Sequence, residues 1–169
     1  MDGLRKFNEL PVKIAQEQLL RCCGCALWAK AMAARRPFAD INSLLAAADE
    51  IWNYLGRPQR LEAFSHHPRI GDEEGLRKKY ASTRAWAAEE QVSVAGATDA
   101  VQDELAQSNR RYEQKFGYIF IVHATGKSAE QMLVLLNERL KNEEEAEIKI
   151  AAAEQAEITK IRLEKLINQ

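Results

Sequence analysis

No apolar run in this chain of 169 residues approaches the roughly 20 residues that would span a bilayer, so a helical membrane protein is excluded. An excess of charge of one sign is lacking too. With 24 Lys and Arg against 25 Asp and Glu, the formal net charge is -1, and no broad positive field exists to attract a phosphate backbone. Nucleic acid is therefore not an expected partner. Cysteine is scarce, and Cys22, Cys23 and Cys25 lie too close in sequence to staple a fold. Without a second Cys/His cluster to complete a zinc site, they read as reduced thiols. The Met1-Asp2-Gly3 start lacks the pattern of a signal peptide, and Leu166-Ile167-Asn168-Gln169 is not a peroxisomal address, so the expected compartment is the cytoplasm.

Aromatic and β-branched residues are also thinly spread, and only Tyr118 to Ala124 gathers them in one run. With no second run to pair with, this predicts a buried extended segment and no sheet. Helical periodicity fills the rest. Leu44, Leu45, Ala48, Ile51, Trp52 and Leu55 fall at three-and-four spacing between a candidate N-cap, Asp40, and a stop at Gly56. One long helix is predicted from about Val12 to Ala34, ending before Arg36-Pro37. Further helices are predicted over Ser82 to Val94, Thr98 to Lys115, from Ser128 on a Ser128/Gln131 capping box, and from Glu143 to Ile167. The acidic run Glu143-Glu144-Glu145 suits the positive end of the last helix's macrodipole better than a ligand. The expected fold is all-α: one domain over residues 1–169, a bundle of six or more helices with one short buried extended segment.

Few residues stand out as chemical candidates. His67 precedes Pro68, which fixes its own backbone angle and keeps its neighbour out of helical geometry, so the imidazole projects from a defined loop. Histidine, with an ordinary pKa of about 6.5, moves protons near neutrality. Taken alone, a His-Pro pair is more often a structural or solvated histidine. Glu90 and Gln91 place a carboxylate beside an amide on one helix, an acceptor next to a group that both donates and accepts; the commoner reading of such a pair is a solvated helix face. Arg139, among Leu135, Leu136 and Leu140, either binds a substrate carboxylate through its planar fork or pairs with a surface acid. His66, His67 and His123 do not make a metal site by spacing, since adjacent residues seldom converge on one ion. No nucleophile elbow surrounds Ser65 or Cys23.

Order and distance add what single motifs lack. Trp28 and Arg36-Pro37-Phe38 are followed by His67-Pro68-Arg69-Ile70-Gly71, Glu90-Gln91 and Ala95-Gly96. Then come Asn109, Tyr112, Lys115-Phe116-Gly117, the Tyr118 to Ala124 run, Arg139-Leu140, Glu157-Ile158 and Ile161-Arg162-Leu163. This succession resembles the 2-oxo-4-hydroxy-4-carboxy-5-ureidoimidazoline (OHCU) decarboxylase family over nearly the whole chain. The resemblance implies loss of carbon dioxide from a small-molecule substrate, OHCU, in urate breakdown to (S)-allantoin, by a homodimer. Because the substrate's own carbon-nitrogen double bond accepts the electrons, it also implies no cofactor and no metal. It places the catalytic roles on His67 and Glu90. It places substrate binding on Pro68, Ala87, Gln91, Phe120, Val122, His123, Ala124 and Arg139. Ala87 is a departure, since the family often has serine three residues before the Glu-Gln pair. Two rivals remain open: a non-catalytic helical interaction module, and a hydrolase acting on a urate derivative.

Overall fold

The computed structural model describes residues 2–69 and 97–168. Among these it shows eight helices and no strand: α1 (Asp2–Glu9), α2 (Val12–Cys22), α3 (Ala26–Ala34), α4 (Ile41–Tyr54), α5 (Arg57–Ser65), α6 (Asp99–Phe116), α7 (Ala129–Arg139) and α8 (Glu144–Ile167). The all-α class follows the periodicity of the sequence. The helix predicted over Ser82 to Val94 lies outside the described residues. No described helix is long and apolar enough to cross a membrane.

Side-chain caps explain where α4, α6 and α7 start. At α4, Asp40 Oδ1 accepts the Ser43 N–H at 2.7 Å, and Ser43 Oγ accepts the Asp40 N–H at 3.1 Å, which satisfies two otherwise orphaned donors. The same reciprocal pair, Ser128 with Gln131, opens α7. Thr98 caps α6, and Gly117 ends it at φ 79°, a left-handed conformation that a residue with a Cβ adopts only at a cost.

The single helix expected from Val12 to Ala34 is two. Cys23 (φ -135°, ψ 116°) and Cys25 (φ -119°, ψ 116°) are extended on either side of Gly24. Glycine costs a helix about 1 kcal/mol relative to alanine, so the chain breaks there at little expense. The apolar spacing hides this break because the segments before and after it both bury residues, Leu19 and Cys22 in α2, Trp28 and Met32 in α3. Two short helices, α1 and α5, were not expected. Pro58 lies in the first turn of α5, where a missing N–H sacrifices no helical bond.

By packing, the chain divides into two compact units, Met1–Ala63 with Ala156–Gln169, and Phe64–Gln155. In the first, α2 packs on α3 and α3 on α4, with Trp28 wholly buried and its indole N–H on the Ala48 carbonyl at 3.2 Å. Arg36 closes the end of α1, its Nη1 donating to the carbonyls of Phe7 and Leu10 at 2.8 Å each, which satisfies acceptors left open at a helix C-terminus. Gly3 lies so close to the Ile167 carbonyl that a Cβ would sit 1.7 Å from that oxygen.

In the second unit α6 packs on α7. Residues 118–124 form neither helix nor strand, yet Tyr118, Phe120, Ile121, Val122 and Ala124 are all buried. Aromatic contacts pin this segment. The Tyr112 ring lies 5.4 Å from that of Phe120 and 5.9 Å from that of Tyr118, both edge-on, and such pairs add about 0.5–1.5 kcal/mol each beyond their burial.

Candidate active site

The His-Pro segment follows α5 directly. The His67 N–H bonds to the Phe64 carbonyl at 3.1 Å, which turns the chain, and the two adjacent imidazoles then part: His66 is exposed, while His67 and Pro68 are buried. His67 Nε2 lies 2.7 Å from Oε1 of Gln155, a residue of α8 with no exposed surface. Just beyond, Arg69 grips Glu113 of α6 with two bonds, Nε to Oε1 at 2.5 Å and Nη2 to Oε2 at 2.9 Å, and so ties the loop to a helix.

The extended segment is held by the next residue back on α8 and by a buried charge pair. Glu154 accepts the His123 N–H at 2.5 Å, and Lys127 Nζ donates to the His123 carbonyl at 2.7 Å. The ring of His123 is partly buried, and its Nε2 is enclosed without a hydrogen-bond partner among the described residues. Such an atom carries a desolvation penalty of about 1–3 kcal/mol until a partner arrives. Arg139 Nη1 donates to the Ile121 carbonyl at 2.6 Å, and its Nε and Nη2 hold Glu147 Oε1 at 2.7 and 2.6 Å. Its guanidinium also stacks over Phe120, 4.7 Å from the ring centre.

Of the two roles open for Arg139, the structure shows an acid on it. That acid is not at the surface: Glu147 is wholly buried, and it also accepts from Tyr112 Oη and, at 2.8 Å, from Asn142 Nδ2. Burial, helped by the neighbouring Glu147, pushes the Tyr112 hydroxyl well above the usual phenol range despite the pull of Arg139, so it stays a donor.

Among the predicted site residues, His67 and Pro68 share the loop after α5, and Phe120, Val122, His123 and Ala124 share the extended segment. Residues 154 and 155 of α8 hold one of these segments each. Glu90, Gln91 and Ala87 lie outside the described residues. Sequence reading missed Gln155, Glu154 and Glu147, because a helix rich in Glu and Gln carries the same letters whether those side chains face water or the interior. The thiols take no part here. Burial pushes Cys22 up to about 12 against the pull of Arg162 and Arg21, and pushes Cys23 higher still. Among the described residues no group of three or more His, Cys, Asp and Glu is placed to hold a metal ion.

Comparison with known proteins gives these residues a setting. The family model for OHCU decarboxylase matches residues 8–164. The uric acid degradation bifunctional protein TTL of Arabidopsis thaliana is 33% identical over 159 residues, 94% of this chain and 49% of that protein. The 2-oxo-4-hydroxy-4-carboxy-5-ureidoimidazoline decarboxylase of Amia calva is 28% identical over 144 residues, covering 85% of this chain and 81% of that one. The chain thus spans about half the length, or less, of the bifunctional relatives it matches. A crystal structure of OHCU decarboxylase in the presence of (S)-allantoin superposes with a TM-score of 0.75 at 34% identity, covering 89% of this chain and 96% of that one. A second, of (S)-allantoin synthase, shares the fold with a TM-score of 0.70 at 20% identity. A family model that runs unbroken through both packing units leaves no ambiguity of kinship: the chain belongs to the OHCU decarboxylase family.

Proposed function

We propose that this chain decarboxylates OHCU to (S)-allantoin, acting as one catalytic domain over residues 1–169. The observation that carries the reading is the match, at 34% identity over 96% of its length, to a decarboxylase solved with (S)-allantoin. In this reading the bond from the ring carbon to its carboxylate breaks and carbon dioxide leaves. The electron pair passes into the adjacent carbon-nitrogen double bond, and a proton delivered to one face of the resulting enol-like intermediate sets the S configuration. The substrate supplies its own electron sink, so the work left to the protein is binding, orientation and proton control.

His67 is the acid/base, and Glu90 is its polar partner on the ring or ureido group. Gln91 and the backbone near Val122 hydrogen-bond the amide-like edge, while Pro68, Ala87, Phe120 and Ala124 line the pocket. His123 offers the substrate an enclosed nitrogen that has no partner among the described residues. Arg139 acts on the pocket through the Ile121 carbonyl it holds, with its fork occupied by Glu147. A homodimer in the cytoplasm belongs to the same reading. The test is carbon dioxide release from freshly generated OHCU with product analysis by mass. Carbon dioxide evolved with enzyme well above the spontaneous rate supports the proposal. A hydrolysed product without carbon dioxide, or no acceleration, overturns it.

A further inference from the structure

We infer that Gln155 is a positioning residue that locks the neutral His67 imidazole in its Nε2–H tautomer, so that Nδ1 is the basic nitrogen through which the ring takes up and returns a proton. The inference rests on the proposed role of His67 and adds which atom performs it and what selects that atom. A neutral imidazole has one N–H and one bare nitrogen, and the partner of one decides the state of the other. Gln155 presents its amide oxygen, an acceptor only, 2.7 Å from His67 Nε2, so the hydrogen in that bond belongs to the ring. Gln155 has no exposed surface and His67 is 8% exposed, so water offers Nε2 little alternative. Losing the bond would take a partner from a buried donor and from a buried acceptor, at a cost in free energy for each group left without one.

The surroundings hold the geometry firmly. Gln155 sits mid-helix in α8, next to Glu154, whose carboxylate takes the His123 N–H at 2.5 Å. One turn of helix therefore sets the register of the His67 loop and of the extended segment together. A neutral amide suits this post better than a carboxylate, because it orients the ring without stabilising its charged form and so leaves the proton transferable.

The test is long-range nitrogen-15 and proton correlation spectroscopy of the wild-type protein, with His67 assigned by its disappearance in His67→Asn. The expected pattern for neutral His67 is a protonated Nε2 and a bare Nδ1. A protonated Nδ1 with a bare Nε2 overturns the inference, and this readout does not depend on activity or on any variant folding. Kinetics give the second arm. Gln155→Leu should lower kcat about 10- to 100-fold, as loss of the partner that orients a functional imidazole typically does, with KM within about 2-fold of wild type. Gln155→Glu restores an acceptor at Nε2 but favours the charged ring, so both nitrogens should be protonated to a higher pH than in the wild type, and an Nε2 left bare in this variant would also overturn the inference. A leucine variant that folds and keeps wild-type kcat overturns the positioning role. If the wild type does not decarboxylate OHCU, the proposed function fails, and the nitrogen spectrum still decides the tautomer.

Discussion

Arg139→Leu separates a buried structural clamp from a substrate-binding arginine. The substitution strands Glu147, which has no exposed surface, without the Arg139 counter-ion, and it removes the side-chain donor that holds the Ile121 carbonyl. Breaking a buried ion pair by deleting one partner costs about 3–5 kcal/mol. An unsatisfied carbonyl adds about 1–3 kcal/mol. Tyr112 and Asn142 keep their bonds to Glu147 and offset part of this, so a net loss of about 3 kcal/mol or more is expected from a total stability of about 5–15 kcal/mol. Urea denaturation followed by far-ultraviolet circular dichroism measures it. The double variant Arg139→Met/Glu147→Met removes both charges and should be more stable than Arg139→Leu, since replacing a buried pair by apolar residues is often neutral or favourable. A loss below about 1 kcal/mol in the single variant, the range of ordinary surface changes, would refute the clamp.

Other expectations are simpler to check. His67→Asn should lower kcat about 10²- to 10⁴-fold with the circular dichroism spectrum unchanged, and near-normal turnover would remove His67 from acid/base duty. Asp40→Ala should cost about 0.5–2 kcal/mol through loss of the α4 cap and leave kcat untouched, as read by paired melts and assays. The thiols make the fold alkali-sensitive: Cys22 is held neutral up to about 12, whereas an unfolded thiol ionises near 9.0. The unfolded chain therefore releases protons first, so the contribution of Cys22 is complete below pH 9.0 and is lost as pH rises toward about 12. Cys23 and Tyr112 push the same way, and denaturation midpoints across that window should fall. Thiol reagents at pH 8 should leave Cys22 and Cys23 unmodified until the protein unfolds.

Elements whose cause is local were legible in the sequence. Asp40 before an apolar stripe and Ser128 three residues before Gln131 announce helix starts by chemistry contained within one turn. Tyr118 to Ala124 was readable as a buried extended run because its letters favour strand while the chain offers it no mate. What escaped depends on tertiary surroundings. Gly24 breaks a helix whose apolar spacing continues past it, and α5 was hidden because Pro58 is harmless only when it falls in a first turn. Arg139 was readable only as a substrate ligand or the partner of a surface acid, and Glu147 not at all, because spacing within α7 or α8 does not reveal that each is buried against the other. Gln155 was invisible for the same reason: only the fold brings residue 155 to residue 67. The site was thus legible where a motif had a sequence neighbour, as at His67-Pro68, and silent where its partner came from 88 positions away.

The most direct test of the whole account is circular dichroism recorded during turnover of freshly generated OHCU, with and without the protein and with a chelator present. The account predicts rapid growth of the (S)-allantoin signal, proportional to protein, unchanged by chelator and abolished in His67→Asn. Only the slow, optically inactive product of spontaneous decay, at the same rate with and without protein, would contradict it.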